Sequence, residues 1–159
     1  MNRENPLLAS IDCGLGFAHL DSTSLALILV EINHFESFRW RYQQHLNDSV
    51  KLVHASIKRS LDSSGNVYVT GFAEGMFAGV LPGVSPGIAL TVADDIVKNL
   101  VGITIPYRHC STSSKMEFFI GVGLIQEVRH ECASEGVYAL AEKALNVAKK
   151  VYSPQIVIA

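Results

Sequence analysis

The distribution of apolar positions along the chain predicts a mixture of strands and helices. Residues 25–33 are apolar until their end, which is typical of a central strand covered on both faces. Apolar residues at positions 50, 53, 57 and 61 recur at helical spacing, so we predict a helix after the polar break at residues 47–49. The stretch 137–151 has the same amphipathic spacing and predicts a second long helix.

Together with the remaining segments, these elements predict an α/β (α+β) fold. We predict helices over residues 35–46 and 88–100, strands over 67–72, 76–81, 116–125 and 155–159, and a loop over 104–114. Residues 1–24, interrupted by a proline and two glycines, predict a short element and a loop that lead into one domain over residues 25–159. The order β-α-α-β-β-α-β-α-β predicts a ferredoxin-like palm, a central and mostly antiparallel sheet flanked by helices.

Two glycines within the fourth predicted strand interrupt its apolar pattern. Gly121 and Gly123 indicate either a bulge or a close approach by another backbone, because glycine has no side chain to pack.

Composition narrows the class of protein. Hydrophobic residues make up 48% of the 159 positions and charged residues 18%, which is typical of a folded domain. The net charge is −2 and the basic residues are scattered, so the sequence predicts no basic patch of the kind that binds nucleic acid. The longest apolar run, residues 25–30, is too short to cross a bilayer, and we predict no membrane contact. Three irregularly spaced cysteines favour a reducing compartment, so we predict a cytoplasmic location.

One tight turn carries the main functional signal of the chain. Two predicted strands are joined there by a turn with glycine at its tight position. The turn reads Ala73, Glu74, Gly75, Met76 and Phe77, and residues 77–82 follow as Phe-Ala-Gly-Val-Leu-Pro. This hairpin resembles that of the GGDEF domains, which make cyclic dimeric GMP and whose turn reads Gly-Gly-Asp/Glu-Glu-Phe. The resemblance continues, in order, through residues 27–35, Asp48 and residues 141–149.

The resemblance implies a role for individual positions, and several of them depart from the family pattern. Glu31 matches the metal-binding acid at the end of the first strand, whereas Gly75 replaces the second metal-binding acid. Met76 replaces the transition-state acid, and Glu74 replaces a glycine that lets the backbone approach phosphate. Asp48 matches the guanine-reading Asp and Lys149 matches the phosphate-gripping Lys, whereas Arg39 replaces the guanine-reading Asn. These three positions are the candidates for residual nucleotide binding.

The resemblance implies magnesium and GTP as the family's cofactor and substrate. Two-metal nucleotidyl transfer needs clustered oxygen ligands, and one carboxylate alone holds magnesium poorly. We therefore predict a degenerate GGDEF-like domain that has no catalytic residue, metal or cofactor and is not an enzyme. It would act as a regulatory or protein-interaction module in cyclic dimeric GMP signalling. The implied partner is an attached or separate signalling domain, such as an EAL phosphodiesterase or a sensor, or a second copy of the chain.

Two other functions remain open at this stage. One is a GTP-sensing domain that controls an attached or partner EAL phosphodiesterase through residual nucleotide binding by Asp48, Lys149 and Glu31. The other is a residual diguanylate cyclase in which Glu74 or Glu117 substitutes for the missing acid. Lys149 itself either grips a phosphate or is a solvated lysine in a last helical turn. Glu31 either binds a cation or is an exposed acid at the end of a strand.

Overall fold

The computed structural model describes residues 6–33, 46–62, 68–73, 75–101 and 117–159. Its helices are α1 (Pro6–Leu20), α2 (Leu46–Asp62), α3 (Pro86–Val101) and α4 (Ser134–Val151). Its strands are β1 (Leu25–Ile32), β2 (Tyr68–Ala73), β3 (Met76–Pro82), β4 (Phe118–Ile125) and β5 (Gln155–Ile158). Within these residues, no helix combines the length and apolar character that spanning a bilayer requires.

The five strands form one sheet in the order β2-β3-β1-β4-β5. β1 lies at the centre and pairs antiparallel with β3 on one side and β4 on the other. β2 pairs antiparallel with β3, and β5 adds a parallel edge strand beside β4. This arrangement confirms the predicted α+β class and the ferredoxin-like palm with its mostly antiparallel sheet. The apolar run of β1 is explained by its position, because residues 25–30 are all fully buried.

Each face of the sheet has its own hydrophobic core, because successive strand residues point to opposite faces. On one face, Ala26, Ile28 and Val30 of β1 pack with α2 and α3. On the other face, Leu25, Leu27 and Leu29 pack with α1 and α4. The helical positions that complete these cores include Val53, Ile57, Val92, Ile96, Ile11, Leu15, Ala141 and Leu145. The periodicity that predicted the two amphipathic helices is therefore the periodicity of their buried faces.

The glycines of β4 allow α4 to lie unusually close to the sheet. A Cβ atom on Gly121 would lie 2.2 Å from the backbone nitrogen of Leu145, and one on Gly123 would lie 2.5 Å from that of Ala141. The pairing of β4 with β1 runs from Ile125 to Phe118 without a shift in register. Of the two predicted explanations, close backbone approach is confirmed and a bulge is wrong.

The N-terminal region differs from its prediction. A short element and a loop were expected, whereas Pro6–Leu20 forms a helix of 15 residues. Leu7, Ile11 and Leu15 are buried at helical spacing, so this helix contributes one stripe to the core. Gly14 is a packing position rather than a turn, because a Cβ there would lie 2.6 Å from a methyl group of Val80. The domain boundary at residue 24 stays a prediction.

Other predictions fall outside the described residues or shift by a few positions. The predicted helix over residues 35–46, except its last residue, and the loop over 104–114 lie outside the described residues. The helix predicted after the break at residues 47–49 begins earlier, at Leu46, so that break lies within its first turn.

Candidate functional site

The hairpin turn is held against the end of β1. Gly75 has φ +72, in the left-handed region that glycine adopts without strain, which confirms glycine at the tight position. Ala73 and Met76 pair across the turn. The backbone N–H of Ile32 donates a hydrogen bond to the carbonyl oxygen of Gly75 at 2.8 Å. The turn and the end of β1 therefore form one continuous surface.

Three neighbouring strands bring three unlike side chains into a row across this surface. Glu31 of β1 pairs with Met76 of β3 on one side and with Phe119 of β4 on the other. Residues paired directly across a sheet point to the same face, so the carboxylate lies between a thioether and an aromatic ring. Neither neighbour supplies a hydrogen-bond donor that could stabilise the carboxylate.

The charge of Glu31 is balanced by a lysine on α4. The Nζ atom of Lys149, in the last turn of the helix, contacts the Oε2 atom of Glu31. The side chain of Glu31 is 26% exposed and that of Lys149 is 38% exposed, so the pair is only partly accessible to water. The structure thus brings together two predicted site residues whose pairing was not predicted. Glu31 is not the exposed strand-end acid of the alternative interpretation, and Lys149 is not freely solvated.

A cavity of about 250 Å³ opens beside this ion pair. It is lined by Glu31, Ile32, Asn33, Phe119, Lys149 and Tyr152. The side chain of Asn33 is anchored at the end of β1, where its Nδ2 atom donates to the Oε2 atom of Glu117 at 2.8 Å. The lining therefore offers one carboxylate, one ammonium group, one amide and two aromatic rings.

Tyr152 is a lining residue that the sequence analysis missed. It caps α4 with φ 55 and ψ 40, and its backbone N–H donates to the carbonyl oxygen of Ala148 at 2.8 Å. Its ring lies 5.5 Å from the ring of Phe119, centroid to centroid, at an interplanar angle of 59°. Pro154 lies two residues later and predicts the end of a helix, but a tyrosine at the cap does not predict a left-handed backbone.

Elsewhere on α4, one titratable group has a shifted pKa. Burial raises the pKa of the Tyr138 phenol above its ordinary value, and the neighbouring Glu142 carboxylate raises it further by charge and by hydrogen bonding. The charge of Glu31 makes the smallest contribution to the same rise in the Tyr138 pKa. Each of these causes disfavours the ionised phenolate.

The described residues do not fit the two-metal site that the family resemblance implies. Glu31 is the sole carboxylate that lines the cavity, and its Oε2 atom faces an ammonium group rather than a second acid. Magnesium prefers clustered oxygen ligands, and the thioether of Met76 cannot supply one. No group of three or more His, Cys, Asp or Glu side chains suited to a metal occurs in the part of the chain that the structure describes.

The other predicted site residues are placed as follows. Phe77 is buried in the core beneath the hairpin, and Met76 is half-buried beside Glu31. Asp48 lies in the first turn of α2, and its side chain is outside the described part of the structure. Arg39 and Glu74 lie outside the described residues. The roles predicted for all of these positions remain predictions.

Solved structures identify the fold. The GGDEF domain of DgcB from Caulobacter crescentus, solved in complex with c-di-GMP, is similar with a TM-score of 0.76 and 16% identity, over 94% of this chain and 86% of that one. The GGDEF domain of PA1120 (YfiN or TpbB) from Pseudomonas aeruginosa is similar with a TM-score of 0.74 and 21% identity, over 96% and 94%. This chain has the fold of a GGDEF domain. No protein-family model matches it, and neither does any curated protein.

The prediction that the chain is not an enzyme is wrong. A third similar structure is described as the active GGEEF domain of a diguanylate cyclase from Vibrio cholerae, with a TM-score of 0.73 and 16% identity, over 95% of this chain and 94% of that one. The fold is thus shared with a domain described as active. The substituted hairpin of this GGDEF-like domain is no ground for excluding an enzyme.

Proposed function

We propose that this GGDEF-like domain regulates cyclic dimeric GMP signalling and that a guanine nucleotide bound beside Lys149 sets its state. The observation that supports this most directly is the contact between Lys149 and Glu31 at the edge of the cavity. It places one ammonium group, a common partner of phosphate, where a ligand can reach it. One carboxylate offsets its charge until a phosphate takes that place.

The ion pair is suited to such an exchange. The side chains of Lys149 and Glu31 are 38% and 26% exposed, whereas the Oε2 atom of Glu31 that faces Lys149 is itself buried and has no hydrogen-bond partner among the described residues. A phosphate carries more negative charge than a carboxylate and presents several acceptor oxygens. A bound nucleotide would therefore compete with Glu31 for Lys149.

The regulatory output is proposed to pass through protein contact. Among the solved structures of similar fold, one is an EAL/GGDEF domain protein from M. capsulatus, and another is the diguanylate cyclase SiaD in complex with its activator SiaC from Pseudomonas aeruginosa. By analogy, the partner of this chain is an attached or separate signalling domain, or a second copy of the chain. We expect α4 to transmit the effect of nucleotide binding, because the helix that carries Lys149 also packs along β4 and β1.

Calorimetric titration with GTP, with and without magnesium, tests the nucleotide site. Lys149→Ala should weaken binding by about tenfold or more, since charge-assisted hydrogen bonds are worth about 1.5–3 kcal/mol. Lys150→Ala is the matched control, because Lys150 is the next residue of the same helical turn and is exposed. It should leave the affinity within about twofold.

Equal affinities in the two variants, or no GTP binding by the unaltered chain, would refute the nucleotide site. Chromatography of the recovered nucleotide in the same samples distinguishes bound GTP from converted GTP. Regulation is then measured by expressing the unaltered chain and Lys149→Ala in bacteria that carry a reporter of cyclic dimeric GMP. Identical reporter signals for the two proteins would contradict a regulatory role for this site.

A further inference from the structure

We propose that the ammonium group of Lys149 replaces a metal ion in this site, so that the cavity takes a nucleoside triphosphate that carries no magnesium. This inference rests on the proposed function and deepens it, because it names the charged form of the ligand and the cation that meets its phosphates. The residues around Glu31 carry it, since they do not fit the two-metal site that the family resemblance implies.

Oxygen ligands for a metal are scarce around Glu31. Its cross-strand neighbours are Met76 on β3 and Phe119 on β4, and neither a thioether nor a phenyl ring is a ligand for magnesium. Gly75, in the turn before β3, has no side chain to add. Asn33 brings one amide group to the lining of the cavity. A second carboxylate, which the two-metal arrangement needs, does not line it.

The carboxylate of Glu31 already faces a cation. The Nζ atom of Lys149 contacts its Oε2 atom, which is buried and accepts no hydrogen bond from the described residues. A magnesium ion at the same oxygen would lie close to the ammonium group, and like charges repel strongly where water is excluded. If Lys149 turned to a phosphate instead, the vacated place would offer magnesium one carboxylate between Met76 and Phe119.

The fold holds Lys149 at this position. Lys149 follows Leu145 by four residues on α4, so the two side chains lie on the same face of the helix. That face lies very close to the sheet, because a Cβ atom on Gly121 would be 2.2 Å from the backbone nitrogen of Leu145. The packing of α4 on β4 therefore places an ammonium group beside Glu31 without help from a metal ion.

An ammonium group and a magnesium ion compete for the same phosphate oxygens. The ammonium group has three N–H donors, and its hydrogen bonds to phosphate are strong because both partners are charged. Magnesium bound to the phosphates neutralises part of their charge and occupies some of their oxygens. The metal-free triphosphate is therefore the better partner for Lys149, and magnesium should act against binding.

Calorimetric titration with GTP at constant ionic strength, in magnesium chloride and in a chelator, tests this preference. The unaltered chain should bind GTP at least about threefold more tightly in the chelator, because the phosphates keep their full charge. Lys149→Ala should bind GTP equally in the two buffers, since the group that distinguishes them is gone. Lys150→Ala, in the same helical turn, should keep the preference of the unaltered chain.

Manganese ions provide a second measurement that needs no nucleotide. Mn²⁺ accepts the same oxygen ligands as magnesium, and its unpaired electrons broaden the amide resonances of nearby residues. With manganese chloride, the amides of Glu31 and Ile32 should stay as sharp as those of Ser24 and Val84 at the opposite end of the sheet. Selective broadening at Glu31 that Glu31→Gln removes would make Glu31 a metal ligand and overturn the proposal.

The calorimetric outcomes distinguish this inference from the proposed function. If the unaltered chain bound GTP equally or more tightly in magnesium while Lys149→Ala remained weaker than Lys150→Ala, the metal-free ligand would be overturned and the phosphate site would stand. If Lys149→Ala kept the preference for the chelator, the ammonium group would not be its source, and the inference would again be overturned. If the unaltered chain bound GTP in neither buffer, both proposals would fail.

Discussion

The central sheet has a cavity at each end, and the two cavities differ in their chemistry. The one beside Glu31 and Lys149 measures about 250 Å³, and the one at the opposite end measures about 420 Å³. The larger cavity is lined by hydroxyl-bearing residues, glycine, proline, valine, leucine and glutamine, with no charged side chain among its lining residues. Its polar groups largely serve the fold. Ser24 Oγ donates to the Val84 carbonyl oxygen at 2.5 Å, and Ser85 Oγ accepts from the first turn of α3.

The smaller cavity has groups whose present contacts a ligand could replace. Lys149 contacts the carboxylate of Glu31, and Tyr152, which is 73% exposed, lines the same cavity. The comparison shows that volume alone does not mark the candidate site. A charged pair open to exchange and a strained aromatic residue distinguish the smaller cavity from the larger one.

The largest expected effect comes from the packing that places Lys149. Gly121→Ala should lower the free energy of unfolding by about 3 kcal/mol, because the new Cβ would clash with the backbone of α4 and force the helix outward. Denaturant unfolding measures this change. GTP affinity should fall as well, since Lys149 moves with α4. Gly136→Ala is the control, because a Cβ there meets no atom within 4 Å. Equal stability of the two variants would contradict the close approach of α4 to β4.

A second prediction tests the charged pair that distinguishes the smaller cavity from the larger one. Glu31→Gln should strengthen GTP binding about tenfold, about 1.4 kcal/mol, because Lys149 loses its competing partner and phosphate loses a repelling neighbour. The control is Glu127→Gln, which removes an exposed acid that faces Arg129 at 3.8 Å. Calorimetry should show no change in affinity for that control. Weaker GTP binding by Glu31→Gln in magnesium but not in a chelator would instead make Glu31 a metal ligand and contradict the account.

Much of the fold could be predicted from the sequence, because its strands and helices carry strong patterns. The buried run of β1, the amphipathic faces of α2 and α4 and the glycines of β4 all follow from local periodicity and residue size. α1 was missed because its glycines resemble turn signals, whereas Gly14 is needed for contact with Val80 and Gly16 faces open space. That distinction depends on what lies opposite each glycine in the folded chain.

The candidate site was predictable only in part. Glu31 and Lys149 were each found from the resemblance, but their contact depends on the depth at which α4 packs, which no local pattern encodes. Tyr152 was missed because a left-handed backbone at a helix end is signalled by glycine, and this chain has tyrosine there. The prediction that the chain is not an enzyme failed because it was drawn from substituted side chains, whereas the fold is shared with a domain described as active.

At the other end of the sheet, a smaller effect is expected that does not reach the site. Ser24→Ala should lower the free energy of unfolding by about 1 kcal/mol, because the carbonyl oxygen of Val84 loses a partly buried hydrogen bond. GTP affinity should stay within about twofold. A variant that lost affinity without losing stability would show that the larger cavity, rather than the smaller one, binds the nucleotide.

The smallest expected effect concerns α1. Gly16→Ala should raise the free energy of unfolding by about 0.5–1 kcal/mol, since alanine favours a helix over glycine and the new Cβ meets no atom within 4 Å. Thermal unfolding with Gly14→Ala alongside provides the contrast, because a Cβ at Gly14 would contact Val80 and Leu25. If both variants were equally stable, the packing assigned to α1 would be wrong.

The most direct test of the account follows backbone amide resonances by NMR while GTP is added. We expect the amides of Glu31, Ile32, Lys149 and Tyr152 to shift in proportion to occupancy, and those of Ser24, Gly83 and Val84 to stay in place. Shifts concentrated at Ser24, Gly83 and Val84, or no shifts at saturating GTP, would contradict a nucleotide site beside the Glu31–Lys149 pair.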